Sequence, residues 1–194
     1  GMGSKVFWDL AVAPGDWDLM DGFNSRNVVT FMAGPLNGTL TPCAAGRTEI
    51  QGVAVQKWPT EWFSRSGFGG RFAAQLKAAG WDGIAIQGIA SSPVWIKIVN
   101  SDVTLEDASA AGDNLWGMNN YDAQQEMWRL TSGSARFGDW VRLPGGEHTT
   151  QRPAVSSVGP AGELKSRSGS MVHDGGNGGG QGGYGGVLGG KNVK

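Results

Sequence analysis

The chain has 194 residues, 16 basic against 17 acidic side chains, a formal net charge of -1 and one cysteine. That length suits one well-buried domain, and the near-neutral balance excludes the basic footprint expected of a nucleic-acid or anionic-membrane binder. With Cys43 alone, neither an internal disulfide framework nor a thiolate-held metal or iron–sulfur cluster can be supplied by this sequence by itself.

In chain order, residues 5–10 read as the end of an amphipathic helix, stopped before Pro14-Gly15. Residues 28–32 form a continuous apolar run into the turn Ala33-Gly34-Pro35-Leu36-Asn37-Gly38, which predicts a buried strand. Residues 47–55 alternate and predict a second strand. The aromatic stretch 58–63 predicts a third, running toward Gly67-Phe68-Gly69-Gly70. Phe68, Phe72 and Leu76, with Ala73, Ala74 and Ala78 between them, form one apolar face of a helix predicted over 68–79 and stopped by Gly80. Residues 84–86, 93–99 and 103–105 predict three antiparallel strands joined by tight turns, with Asn100-Ser101-Asp102 as hairpin chemistry.

Residues 121–130 predict a short helix capped by Asn119 or Asn120. The polar, glycine-rich stretch 131–151 reads as a surface excursion, and residues 153–158 and 166–172 predict two further strands. Of the sixteen residues 175–190, eleven are glycine. Composition alone describes a flexible segment, but the interruptions by Asn177, Gln181 and Tyr184, and the apolar Val187-Leu188 before Lys191, argue for order. The spacing Gly178-x-Gly180-x-x-Gly183 matches a dinucleotide fingerprint only as chance allows in so much glycine, and no acidic residue follows about 20 positions later.

No run approaches the roughly 18–20 apolar residues that span a bilayer, and Gly1–Lys5 lacks the apolar stretch of a secretory signal. A soluble, cytoplasmic protein is expected. Cys43 fits a small buried apolar residue, and His173, with no dyad partner nearby in sequence, fits a structural role. Nine tryptophans and 34 glycines exceed ordinary usage; the entropy cost of folding so much glycine is offset if a large cofactor binds the folded state. Two Gly-x-Gly-Gly segments, Gly67-Phe68-Gly69-Gly70 and Gly180-Gln181-Gly182-Gly183, each read as opening a short helix. Glycine permits positive φ and close approach, and a helix start favours an anion, so the pair predicts two phosphate sites.

As a set, Ala33-Gly34-Pro35-Leu36-Asn37-Gly38-Thr39, Arg47, Gly69-Gly70, Gln75-Leu76-Lys77-Ala78-Ala79-Gly80-Trp81-Asp82, Gly159-Pro160-Ala161-Gly162-Glu163 and Gly182-Gly183-Tyr184-Gly185-Gly186-Val187-Leu188-Gly189-Gly190-Lys191-Asn192 resemble the tungsten-containing aldehyde ferredoxin oxidoreductase family. The resemblance covers essentially the whole chain and is weakest over 128–153. It implies an α+β fold of two similar, mostly antiparallel β-sheet halves with a few short helices, a pseudo-two-fold base for a tungsten (or molybdenum) bis-pterin whose two phosphates share a magnesium ion. By position, Gly67 and Gly178 look like the residues whose carbonyls reach that magnesium. Phe68, Gly69, Gly70, Asn177, Gly180 and Gly182 would line the cofactor. Arg47, on its own readable as a surface salt bridge or strand-edge charge, resembles the arginine between a pterin and the 4Fe-4S cluster. Asn177 stands where relatives often carry a basic residue, and Ser66 and Phe68 replace small polar positions.

The resemblance also implies a domain truncated at both ends, because the family's cluster ligands and its acidic and histidine groups near the metal lie in later domains, and its opening hairpin precedes the glycines at residues 1–3. No catalytic residue is expected in this chain. The parent activity implied is oxidation of an aldehyde to a carboxylic acid with ferredoxin as acceptor; the alternatives are aromatic acyl-CoA reduction on the same cofactor and a cofactor-free binding or assembly module.

Overall fold

A computed structural model describes residues 1–15, 21–42, 46–110, 112, 114–133, 139–142, 146, 148–149 and 151–194. Cys43 and much of the stretch expected to be a surface excursion lie outside the described residues.

The chain opens with α1 (Met2–Phe7), which runs on into a π-helical turn, Trp8–Val12. Its apolar face carries Phe7 and Ala11 onto Val28 and Val53. A Cβ on Gly3 would come within 2.8 Å of Met32 Cγ, so glycine lets the helix lie this close to the sheet. Three antiparallel strands follow, β1 (Val29–Ala33), β2 (Thr48–Ala54) and β3 (Trp62–Phe68). The third lies further along the chain than the aromatic stretch suggested. Pairing decides this: Thr48 sits opposite Phe68, and Ala54 opposite Trp62.

Phe68 therefore belongs to the strand, and α2 (Phe72–Ala78) begins only after Gly70, whose φ of +91° interrupts the chain. The helix stops as expected, at Gly80 with φ +97°. The Gly80 N–H donates to the Lys77 carbonyl and the Trp81 N–H to that of Leu76, a Schellman closure. That reversal returns the chain to the open side of β1, where β4 (Gly83–Ile86) pairs antiparallel to give the order β3-β2-β1-β4. The expected three-strand group is thus corrected: β4 joins the first sheet, and β5 (Val94–Val99) and β6 (Asp102–Asp107) form a hairpin by themselves. Asn100 takes positive φ in its turn.

The predicted cap is present on α3 (Asn120–Ser132): Asn119 accepts from the Tyr121 and Asp122 N–H groups at 3.0 Å each. Two-residue strands β7 (Val141–Arg142) and β8 (His148–Thr149) pair with each other. A second antiparallel sheet follows, from β9 (Ser156–Val158), β10 (Met171–His173) and β11 (Asn177–Gly179), in that spatial order. Between β9 and β10 lies α4 (Pro160–Glu163), and most of the strand expected over 166–172 is instead the approach to β10. A 3-10 turn, Gln181–Gly183, leads into α5 (Tyr184–Gly190), every residue of which is buried.

Each half of the molecule is thus a three-strand antiparallel meander running through glycines into a short helix, β1-β2-β3 into α2 and β9-β10-β11 into α5. The halves share one core. Val29, Phe31, Ile50, Ala54, Val55 and Phe68 of the first pack with Val158, Met171, Tyr184, Val187 and Leu188 of the second, apolar area whose removal from water drives their association.

Candidate functional site

The strands that carry the glycines are both edge strands, β3 in the first sheet and β11 in the second. An edge strand leaves one side of its main chain without a ladder partner. The two lie against each other: a Cβ on Gly179 would stand 3.3 Å from both Phe68 Cδ1 and Ile50 Cδ1, and one on Gly69 would stand 3.2 Å from Asn177 Oδ1. Segments more than a hundred residues apart in sequence therefore form one seam.

The residues singled out from the sequence divide into two sets. Gly67 and Arg47 are neighbours, with Arg47 Nη2 donating to the Gly67 carbonyl at 3.4 Å. Arg47 is exposed and lines a cavity of about 680 Å³ with Met32, Gly34, Glu49, Gln51 and Lys77. Beside it the Thr48 hydroxyl is buried with no partner among the described residues. Gly69, Gly70 and Asn177 meet at the seam. Gly178 is exposed, with open space where a Cβ would point.

Two residues belong elsewhere. The Phe68 side chain is 1% exposed and part of the core, packed edge-on to Phe72 with ring centroids 5.6 Å apart. Gly182 is buried with both main-chain groups engaged: its N–H donates to Gln56 Oε1 at 2.6 Å and its carbonyl accepts from the Val55 N–H at 3.0 Å. Its φ is +86°, and a Cβ there would stand 2.6 Å from the Tyr184 ring, so packing accounts for this glycine. Gly180 sits between the sets, half-buried, its carbonyl accepting from Gln56 Nε2 at 3.0 Å. The second glycine edge is consequently Asn177–Gly179, with Gly178 exposed, rather than the Gly-x-Gly-Gly segment that follows it.

The start of α2 is also occupied. The Arg71 N–H donates to His173 Nε2 at 3.1 Å, and His173 Nδ1 meets the Val155 carbonyl at 2.7 Å. Arg71 crosses the same ground, its Nε and Nη2 donating to Asp174 at 2.5 and 3.2 Å and its Nη2 also to the Pro153 carbonyl at 3.1 Å. Burial holds the His173 pKa below its ordinary 6.5, and the Arg71 charge works the same way against the raising effects of Val155 and Asp174. Nothing in the sequence pattern points to this knot, because its members are brought together only by the fold; Arg71 and His173 are 102 positions apart.

Among the described residues, no group of three or more His, Cys, Asp or Glu side chains is placed to hold a metal ion. What this seam offers a ligand is main chain at the glycine edges, the exposed Arg47 guanidinium and the Asn177 amide. A main-chain carbonyl is a hard oxygen donor suited to magnesium, and main-chain N–H groups and guanidinium suit phosphate. Fold and seam together define an α+β base suited to a ligand, two antiparallel half-sheets joined where their glycine-bearing edges meet.

The profile of the aldehyde ferredoxin oxidoreductase N-terminal domain matches residues 1–194, and the chain belongs to that family. A tungsten-containing aldehyde ferredoxin oxidoreductase of Pyrococcus horikoshii is 35% identical over 90% of this chain and 25% of its own length. An aliphatic sulfonate oxidoreductase WOR-like subunit of Pyrococcus furiosus is 29% identical over all of this chain and 28% of its own. Among solved structures, the active-site complex BamBC of benzoyl coenzyme A reductase, in complex with 1,5-dienoyl-CoA, superposes with a TM-score of 0.77 at 27% identity, covering this whole chain and 25% of that one. The chain thus spans about a quarter of the length of these relatives, and its family is one of tungsten oxidoreductases.

Proposed function

We propose that this chain is the bis-pterin-binding base of a larger tungsten oxidoreductase that converts aldehydes to carboxylic acids with ferredoxin as electron acceptor. The observation that carries the reading is the meeting of two glycine-bearing edge strands, Gly67–Gly70 and Asn177–Gly179, beside an exposed arginine. The residues fit such a group. Gly178 is open where a side chain would stand, Arg47 touches the Gly67 carbonyl only at 3.4 Å, the outer limit of a hydrogen bond, and Gly69 and Gly70 bare the main chain between them.

In this reading the carbonyls of Gly67 and Gly178 would hold the cofactor's magnesium ion, and Gly69, Gly70, Asn177 and Gly180 would flank them. Arg47 would donate hydrogen bonds to a pterin and stabilise negative charge on a neighbouring reduced 4Fe-4S cluster held by another domain. The bound cofactor supplies the redox and oxygen-transfer chemistry. The chain's contribution is to hold and orient it. Acid–base groups, the cluster and the contact with ferredoxin come from the rest of the protein.

A second reading, reduction of an aromatic acyl-CoA on the same base, is favoured by the superposition of this whole chain on the benzoyl coenzyme A reductase complex. Elemental analysis of the protein purified from tungstate-supplemented cells separates both from a cofactor-free assembly module: tungsten or molybdenum with magnesium is expected, and metal-free protein overturns the reading. Viologen reduction dependent on an aldehyde, against viologen oxidation dependent on an aromatic acyl-CoA, then distinguishes the two enzymes.

A further inference from the structure

We propose that the buried imidazole of His173 is the positioning residue of this seam, setting the separation of the two glycine edges by holding the Gly69-Gly70 turn against Asn177. The inference rests on the cofactor-base reading. His173 is fully buried in β10, paired with Asn177 of β11 on one side and Ser156 of β9 on the other. From there its ring reaches into the first half of the molecule, between Phe68 at 5.3 Å and Phe72 at 5.8 Å between centroids.

Its partners force one tautomer. The Arg71 N–H can only donate, so Nε2 is unprotonated and accepts; the Val155 carbonyl can only accept, so Nδ1 carries the proton. The Asp174 carboxylate, 3.3 Å from Nε2, has its own donors in the Arg71 guanidinium. One neutral side chain thereby ties the residue after the Gly69-Gly70 turn to the segment entering β9. Gly70 is complementary to it: a Cβ there would stand 2.6 Å from His173 Cδ2 and 2.9 Å from Asn177 Nδ2. The turn can lie this close to β10 and β11 only with glycine on one side and a flat ring on the other.

The test uses the full-length protein with His173→Gln, His173→Asn and His173→Phe, and Leu76→Ala as a core-destabilised control in α2. Gln can return an acceptor to the place of Nε2; Asn is too short to reach Arg71, and Phe fills the space with no acceptor. Bound pterin, measured as its fluorescent oxidation product, is expected to stay within twofold of wild type for Gln and Leu76→Ala and to fall at least tenfold for Asn and Phe. Hydrogen exchange over residues 68–76 is expected to accelerate at least tenfold in Asn and Phe but not in Gln. Full pterin and unchanged exchange in Phe overturn the proposal. So does a loss that merely follows thermal stability across all four variants, or failure of all three His173 variants to fold while Leu76→Ala folds. Wild-type protein without pterin refutes the cofactor-base reading alone, and the exchange ranking then decides the role of His173.

Discussion

At the scale of single residues, three buried nitrogen bases, His173, Lys191 and Lys194, tie the fold to pH, the histidine in one part of the range and the lysines in another. His173 is held below 6.5 by burial, so as pH falls through about 6.5 the unfolded chain takes up a proton that the folded one refuses, and stability declines with acid. Lys191 is fully buried, its ammonium donating to the Gly88 and Ser25 carbonyls at 3.0 and 3.4 Å. Burial lowers its pKa from 10.5 to about 8. Below about 8 both states carry the charge and the folded one bears the cost of burying it. From about 8 to about 10.5 the folded state has released a proton that the unfolded state keeps, and stability rises with pH wherever the unfolded chain binds more protons. Urea unfolding measured across pH should therefore show two rising limbs, one ending near 6.5 and one between about 8 and 10.5, Lys191 contributing on the order of 3 kcal/mol to the upper. Lys191→Met should shrink the upper limb to the part that the buried Lys194, its pKa also lowered by burial, contributes, and leave the lower one unchanged.

At the scale of elements, the end of the glycine-rich run, α5, is a helix that must lie against bare main chain. In α5 a Cβ on Gly186 would stand 2.2 Å from the Ser166 carbonyl oxygen, and one on Gly189 would stand 2.0 Å from that of Gly162. Alanine gains about 1 kcal/mol of helix propensity over glycine, but forcing α5 away from α4 and the 162–170 segment costs more. Gly186→Ala is expected to lose about 2–4 kcal/mol by urea denaturation, whereas Gly176→Ala, with nothing within 4 Å of the new methyl, should stay within about 0.5 kcal/mol. Order in this run was legible from its interruptions, Asn177, Gln181, Tyr184 and Val187-Leu188. The cause was not, because the surface each glycine approaches is supplied by a separate segment. The same limit governs the strands. Residues 28–32 and 47–55 announced β1 and β2 by apolar pattern, but β3 takes its bounds from pairing with β2, and β4 leaves its sequence neighbours for β1. At the candidate site, Gly67, Gly69, Gly70, Arg47, Asn177 and Gly178 were named from the sequence, while the burial of Gly182 and Phe68, and the knot of Arg71 with His173, depend on contacts no local pattern encodes.

At the scale of the whole molecule, one side chain from the second half fastens the strands of the first. The Tyr184 hydroxyl lies 2.9 Å from the Gly52 carbonyl and 2.7 Å from that of Ser64, on β2 and β3, and burial pushes its phenol well above the usual value. Tyr184→Phe preserves the ring and removes the donor, so a loss of about 1–2 kcal/mol is expected. Faster hydrogen exchange should appear around Gly52 and Ser64 if the hydroxyl joins the halves, and its absence would show that the ring alone does so. The shared core carries a consequence for synthesis. The inner face of β1–β3 is closed by Val158, Met171, Tyr184, Val187 and Leu188, which leave the ribosome more than a hundred residues after β1. Until they do, the growing polypeptide carries strands with uncovered apolar faces, and the cost of closing so long a loop makes folding of this part late and slow. Such a nascent chain is exposed to aggregation throughout that interval, and the first half's dependence on chaperones should end once α5 has emerged.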